Sequence, residues 1–244
     1  MKVFPSWARR TTRPRLHAAR SRLSPKLALN ALVFVGAVGL FFFIAHEVGD
    51  GDHLRAEVNF IRTVRSIGQE PGGIWINEAA RDITALGSMI VLTTLTLLVL
   101  VFFLLSRRFA AAGFLAITAI GGQLLNTGLK LAYGRDRPDA SLRWIEVDSL
   151  SFPSGHATSS AVIYLSMAVL LSRLVDSTMQ KIYFFAAALL LSFLVGSSRV
   201  FLGAHYPSDV VAGWALGVAW AEVCWFSARM IGQRRLNKIE PSST

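Results

Sequence analysis

Six apolar stretches of membrane-spanning length run through the 244-residue chain. A bilayer core about 30 Å thick needs about 20 apolar residues in a helix, because each residue advances the helix by about 1.5 Å. The stretches that meet this length are 27–45, 83–105, 109–129, 157–174, 179–197 and 209–230. They account for the 53% hydrophobic content and leave too few apolar residues to form a separate soluble core. The sequence therefore predicts an all-α, polytopic membrane protein built as a six-helix bundle.

The placement of Lys and Arg predicts how this bundle is oriented. The first 26 residues are rich in cations and lack acidic residues, and further cations follow the second, fourth and sixth spans. Positive charge of this kind collects on the cytosolic side. We therefore expect a cytosolic basic arm at 1–26, a six-span domain at 27–230 and a cytosolic tail at 231–244. The segments that this orientation places outside are 46–82, 130–156 and 198–208.

The net charge of +10 has more than one interpretation. In a polar protein it would suggest a nucleic-acid partner, but cations beside apolar spans indicate contact with anionic lipid, so no nucleic-acid partner is expected. The Arg-rich start also fits an organelle transit peptide, and the first apolar run resembles a signal peptide. Because that run has the length of a membrane span and no small-residue cleavage pattern, we expect it to be kept in the mature protein. In a bacterial host, the bundle would lie in the inner membrane. The single Cys224 permits no intramolecular disulfide, and the sequence does not predict an oligomeric state.

The outer segment 46–82 contains an amphipathic pattern. Its apolar residues at helical spacing are Leu54, Val58, Ile61 and Val64. Charged residues lie between them, which is typical of a helix with one apolar face. The pattern predicts a short helix in the membrane interface.

Polar residues gather at three span ends where the membrane pattern does not explain them. They are Lys130, Arg135 and Arg137 after the third span, Ser154, Gly155 and His156 at the start of the fourth, and Arg199, His205 and Asp209 between the fifth and sixth. Ionisable groups at such positions are costly unless they serve a function. Because all three groups fall on the predicted outer side, we expect them to form one site.

The residue types of this site predict phosphoryl transfer. Lys and Arg bind oxyanions, and the helix start at Ser154 offers free backbone N–H groups to a phosphate. Two histidines can serve as nucleophile and general acid, and Asp209 can fold back to orient His205. The set indicates a phosphohistidine intermediate. A zinc ion held by His156, His205 and Asp209 would be surrounded by cations, so we expect no catalytic metal and no cofactor.

The three groups resemble the signature motifs of the type 2 phosphatidic acid phosphatase superfamily, whose core is shared with histidine acid phosphatases and vanadium haloperoxidases. The motifs read Lys130-x6-Arg137-Pro138, Pro153-Ser154-Gly155-His156 and Ser198-Arg199-x5-His205-x3-Asp209, in the family's order. With the span layout, the resemblance extends over 27–230, apart from 46–82. It implies a helical-bundle core and a metal-independent membrane phosphatase.

The resemblance also implies roles for individual residues. His205 is expected to be the nucleophile, Asp209 its orienting carboxylate and His156 the acid for the leaving group. The expected phosphate ligands are Lys130, Arg137, Ser154, Gly155 and Arg199. Arg135 lies outside the strict motif and is expected to be an auxiliary ligand.

A site between span ends suits a substrate with its phosphate at headgroup depth and its tail in the lipid. The candidates are phosphatidic acid, phosphatidylglycerol phosphate, a polyprenyl diphosphate such as undecaprenyl diphosphate, and a sphingoid phosphate. A phosphotransferase could use the same phosphohistidine. The six spans speak against a vanadium-dependent haloperoxidase, because those relatives are soluble. The presence of both histidines speaks against a non-enzymatic lipid-phosphate binder or transporter, which would be expected to have lost one of them.

Two further features lie in the sixth span. Gly213 and Gly217 form a pair of small residues that predicts close helix packing inside the bundle. Glu222 is expected to pair with a cation near the cytosolic end, and the sequence suggests no function for it.

Overall fold

The computed structural model describes residues 25–51, 54–70 and 73–239. Within these residues the chain is all-α and has no strand, as predicted. The helices are α1 Pro25–Asp50, α2 Leu54–Gln69, α3 Gly73–Ala85, α4 Met89–Leu105, α5 Phe109–Tyr133, α6 Gly155–Ser172, α7 Thr178–Phe201 and α8 Pro207–Ile239, with a short 3-10 helix at Ala140–Leu142. Nearly all of the predicted basic arm, and residues 240–244 of the predicted tail, lie outside the described residues.

The number of membrane spans depends on one bent helix pair. Among the described residues, α1, α5, α6, α7 and α8 are each long and apolar enough to cross a membrane. Helices α3 and α4 reach that length only together, and they meet at an angle of 42°. The predicted second span therefore contains a break, and α4 begins after Ser88, whose Oγ accepts a hydrogen bond from the Val91 N–H at 3.3 Å. The chain is an integral membrane protein, and its described residues contain five helices that could cross a membrane, or six if the bent pair is one span.

Helix α6 lies at the centre of the bundle. Ten of its 18 residues are buried, and it packs against α5, α7 and α8, while α1 packs along α8. Helices α1 and α4 expose many apolar side chains, which carry no penalty when the surrounding solvent is lipid. The arrangement places the ends of α5, α6, α7 and α8 close together.

The small residues of α8 allow its backbone to approach α6, as predicted. A Cβ added to Gly213 would lie 2.8 Å from the Ser154 carbonyl oxygen, and one added to Gly217 would lie 2.6 Å from Ala161 Cβ. Both distances are shorter than any ordinary contact, so a larger residue would force the helices apart. The contact holds the start of α6 against the first turn of α8.

We expect Gly217→Ala to lower the free energy of unfolding by roughly 1–3 kcal/mol, because the added methyl overpacks this contact. Gly113→Ala is the matched control, since a Cβ there meets nothing within 4 Å and Ala favours the helix. Thermal unfolding of both variants in one detergent checks the prediction. Equal melting temperatures for the two variants would show that the approach of α8 to α6 is not tight.

The predicted outer segments meet at one end of the bundle. The Trp144 N–H donates to the Leu202 carbonyl at 3.0 Å, and the Ser151 N–H donates to the Arg135 carbonyl at 2.8 Å. The predicted amphipathic helix is confirmed as α2, and its Ile61 is fully buried against the turn between α7 and α8. At least part of the apolar face of α2 is therefore used to pack on the bundle, and its position in a membrane interface stays a prediction.

Glu222 has a neutral hydrogen-bond partner on another helix. The Asn30 side chain on α1 donates a hydrogen bond to Glu222 Oε2 at 3.1 Å. The basic side chains of Arg234, Arg235 and Lys238 lie outside the described residues, so the expected cation partner stays a prediction. A neutral amide contacts this carboxylate because α1 is the helix that packs beside this stretch of α8.

Candidate active site

The turn between α7 and α8 brings His205 and Asp209 together. Gly203 has a left-handed φ of 66°, which reverses the chain after α7. Pro207 begins α8, where its fixed φ and missing N–H suit the first helical position. Asp209, two residues later, accepts a hydrogen bond from the Tyr206 N–H at 3.0 Å and faces the His205 ring. One carboxylate thus caps the helix and contacts the imidazole, as its spacing predicts.

The two ring nitrogens of His205 have different surroundings. Nδ1 lies 3.3 Å from Asp209 Oδ2 and 3.4 Å from Ser151 Oγ, whereas Nε2 lies 3.0 Å from Arg137 Nη1. A hydrogen on Nδ1, donated to Asp209, leaves the Nε2 lone pair facing the cations. Burial lowers the pKa of His205 to about 3, although Asp209 acts in the opposite direction. The imidazole is therefore neutral at neutral pH.

Lys130 and Arg137 are held by neutral oxygens. Both donate to backbone carbonyls of the segment 149–151, and Arg137 also donates to the Ala204 carbonyl at 2.6 Å. Burial lowers the pKa of Arg137 to about 10, which still leaves it charged. Within the described residues, no carboxylate contacts either cation. Their positive charge is therefore available to an anion.

Arg199 and Ser154 carry buried polar atoms without partners. Arg199 is 3% exposed, and its Nη1 donates to Thr84 Oγ1 at 3.1 Å. Its Nε and the Ser154 Oγ have no hydrogen-bond partner among the described residues. Ser154 stands at the N-terminal cap of α6, yet its side chain makes no cap hydrogen bond. Because leaving buried polar groups unpaired is costly, these atoms indicate a site for an oxyanion.

The remaining predicted residues complete the cluster. Gly155 opens α6, and a Cβ added there would lie 3.9 Å from Lys130 Cε. His156 follows, within electrostatic range of Lys130, Arg199 and His205. A Cβ added to Gly87, at the break between α3 and α4, would lie 3.3 Å from His156 Cδ2. No hydrogen-bond partner of the His156 ring lies in the described segments, so this ring is available for proton transfer.

Arg135 contacts Asp209 and does not lie with the other three predicted cations. Its Nη1 donates to Asp209 Oδ1 at 2.6 Å and its Nη2 to Glu57 Oε2 at 2.7 Å. The guanidinium also stacks over the Tyr206 ring, 4.2 Å from its centroid. These contacts commit its donors to carboxylates on the side of Asp209 away from His205. Arg135 is therefore a partner of Asp209 and not part of the cation cluster.

Three residues that the sequence analysis missed also contribute. Ser151 donates its hydroxyl to Asp209 Oδ2 at 2.5 Å, Thr84 accepts from Arg199, and Glu57 accepts from Arg135. Ser151 stands two residues before Pro153, where position alone does not separate it from other loop serines. Glu57 lies in the segment 46–82, and Thr84 lies just after it. Both are far from the motifs in sequence, so no motif spacing could have indicated them.

Comparison with known proteins finds a family and several relatives that resemble this chain. The sequence model of the PAP2 superfamily matches residues 110–232, which contain all nine predicted site residues. Phosphatidylglycerophosphatase B of Bacillus subtilis is 34% identical over 146 residues, which are 59% of this chain and 71% of that protein. A lipid A 1-phosphatase of Rhizobium johnstonii is 37% identical over 123 residues, which are 47% of this chain and 44% of that protein.

The fold has a counterpart among solved structures. The crystal structure of a transmembrane PAP2-type phosphatidylglycerolphosphate phosphatase from Bacillus subtilis superposes with a TM-score of 0.72 at 26% identity. The match covers 82% of this chain and 96% of that chain. A match of this extent reaches beyond the segment 110–232 that the family model covers. The chain therefore belongs to the PAP2 superfamily and is a membrane lipid phosphatase.

Proposed function

We propose that the chain hydrolyses a phosphate or diphosphate monoester of a lipid at the outer membrane face, through a phosphohistidine on His205 and without a metal. The observation that carries the proposal is the direction of His205 Nε2. It faces Arg137 at 3.0 Å, and Arg137 lies within electrostatic range of Lys130 and Arg199. Among the described residues, no carboxylate contacts these three cations. A neutral nucleophile beside three such cations suits the binding and transfer of a phosphoryl group.

In the first step, His205 Nε2 attacks phosphorus in line with the leaving oxygen. The P–O bond to the lipid breaks, and His156 gives the departing oxygen its proton. Lys130, Arg137 and Arg199 stabilise the charge on the three equatorial oxygens, together with the Ser154 hydroxyl and the N–H groups that open α6. Asp209 accepts a hydrogen bond from the Nδ1–H of His205 and stabilises the positive charge that forms on the ring.

In the second step, the neutral His156 takes a proton from water. The oxygen of that water attacks the phosphorus of phosphohistidine, the P–N bond breaks, and inorganic phosphate leaves. His205 is again neutral and His156 again carries the proton. The fixed cations supply the charge stabilisation that a metal ion supplies in other phosphatases, so no step needs one.

The substrate class follows from the relatives and from the position of the site. The names of the two relatives give different substrates, phosphatidylglycerophosphate and the 1-phosphate of lipid A. Both are membrane amphiphiles with a phosphate monoester. A site at the ends of lipid-exposed helices suits such a molecule, with the tail beside the bundle and the phosphate at headgroup depth. Phosphatidic acid, phosphatidylglycerol phosphate and undecaprenyl diphosphate all meet this description.

A phosphate-release assay on purified protein in EDTA tests the proposal. We expect phosphate from one or more members of a panel of phosphatidic acid, phosphatidylglycerol phosphate, undecaprenyl diphosphate and a sphingoid phosphate, at rates that EDTA does not change. Glycerol phosphate, which has no tail, is the control and should react poorly. Loss of activity in EDTA that a divalent metal restores would contradict the mechanism. A phosphorylated acceptor with little free phosphate would identify a phosphotransferase.

A further inference from the structure

Asp209 uses its two oxygens for different partners. Oδ2 faces the His205 ring, and Oδ1 accepts a hydrogen bond from Arg135 at 2.6 Å. Arg135 in turn pairs with Glu57 at 2.7 Å. The Asp209 side chain is fully buried, and those of Arg135 and Glu57 are only 13% and 12% exposed. An unbroken series of charge-assisted contacts therefore runs from the imidazole to a carboxylate on α2.

Glu57 also contacts the first turn of α8 directly. Its Oε1 accepts a hydrogen bond from the Ser208 N–H at 2.8 Å, and the Ser208 hydroxyl accepts one from Arg135 at 2.7 Å. A carboxylate at a helix N-terminus is stabilised by the helix dipole and by free N–H groups. Four residues along α2, Ile61 is buried against the same turn. Glu57 thus ties α2 to the turn that carries His205 and Asp209.

The charges of this group have a direct consequence for the imidazole. Although burial lowers the pKa of Arg135, Asp209 and Glu57 raise it, so the guanidinium is permanently charged. Arg135 alone would draw the negative charge of Asp209 away from the ring. Glu57 balances Arg135 and leaves one net negative charge for the imidazolium. The other ionisable groups within electrostatic range of His205 are Arg137, Arg199 and His156, and Lys130 lies within range of Asp209.

We propose that Arg135 and Glu57 are positioning residues of the phosphatase reaction, which orient Asp209 and set how strongly it stabilises the charged His205 ring. The inference rests on the proposed function. It extends the functional site to α2, which lies outside the segment 110–232 that the family model matches. It also gives the N-terminal part of the chain a role in the chemistry.

The test compares Glu57→Gln, Arg135→Gln and the double variant in single-turnover phosphoenzyme formation between pH 3.5 and 8. We expect each single variant to lose roughly 10- to 30-fold in the rate of formation, with little change in KM, as for a unit charge acting over two contacts. Arg135→Gln should move the acid limb to higher pH, because two carboxylates then favour the protonated ring. Glu57→Gln should not move the acid limb to higher pH, and in the double variant the acid limb should return toward its position in the wild type.

Arg135→Lys and Glu78→Gln are the comparison variants. Arg135→Lys keeps the charge and should restore the acid limb, even if the loss of the forked geometry lowers the rate. Glu78→Gln makes the same change as Glu57→Gln at an exposed position of α3 and should match the wild type. A purely structural role would lower the melting temperature or the rate without moving the limb. If Arg135→Gln does not fold, Arg135→Met takes its place, since it removes the same charge and should show the same upward shift of the acid limb.

Asp209→Asn separates the two proposals. Wild-type rates and pH profiles in the Glu57 and Arg135 variants, with a strong loss in Asp209→Asn, would overturn the positioning role and leave the proposed function intact. Full activity in Asp209→Asn, without a phosphohistidine in the wild type, would overturn the proposed function itself.

Discussion

Replacing His205 with Ala is expected to abolish both phosphate release and the covalent phosphoenzyme. The side chain supplies the attacking nitrogen, and its loss should lower kcat by at least about 10⁴-fold, as for nucleophiles in other covalent mechanisms. The measurement uses a lipid carrying ³²P in its terminal phosphate, with rapid quenching and detection of protein-bound label. Label on the wild type should be labile in acid and stable in alkali, as expected of a phosphohistidine.

The His205→Ala variant should still fold, which keeps the result interpretable. Asp209 retains Arg135, the Ser151 hydroxyl and the Tyr206 N–H as partners, so its buried charge remains paired. His205→Gln provides a second variant that leaves a smaller cavity. His46→Ala is the control, because His46 is an exposed histidine at the end of α1. Substantial turnover with labelled phosphate still bound to the His205→Ala protein would place the nucleophile at another residue.

Replacing His156 with Asn is expected to produce a loss that depends on the leaving group. An alkoxide that leaves from a lipid phosphate needs a proton, and removal of the acid should lower the rate by roughly 10²- to 10⁴-fold. An aryl phosphate such as p-nitrophenyl phosphate has a leaving group that is stable without a proton. Its first step should therefore be much less affected, and comparison of kcat/KM for the two substrates checks this.

The same variant should change which step limits turnover. Water attack on the phosphohistidine also uses His156, as the base, so the phosphoenzyme should accumulate when the aryl substrate is supplied. The trapped label per protein should exceed that of the wild type. An equal loss for the lipid and the aryl substrate, without accumulation, would mean that His156 orders the site and does not transfer the proton.

The sequence predicted the helical bundle and most of the site because both depend on short-range patterns. An apolar run of span length must form a helix in lipid, since every backbone polar group needs an internal partner. Helices that cross in alternating directions then place the ends of α5 and α7 beside the starts of α6 and α8. The motif residues stand at these ends, so the eight candidates that belong to the strict motifs come together.

The errors fall where partners come from distant segments. The predicted span 83–105 contains no charged residue, and only the packed structure shows the break beside Gly87, where an added Cβ would clash with Val195 and lie 3.3 Å from His156 Cδ2. Arg135 resembles a phosphate ligand by its distance from Arg137, but its position beside Glu57 directs it to Asp209. The contact of Asn30 with Glu222 was not predicted, because the two residues lie 192 positions apart in sequence.

By itself, the sequence determined that this chain crosses a membrane and which polar groups gather at one end of its bundle, because hydrophobic length and helix direction follow from local composition. Only the tertiary structure decided which cation meets which anion. Hydrogen bonds and ion pairs depend on separations of a few ångströms and on the direction of each donor. The packing of α2, α5 and α8 sets those separations. It places Arg135 on Asp209 and, among the described residues, leaves Lys130, Arg137 and Arg199 without a contacting carboxylate.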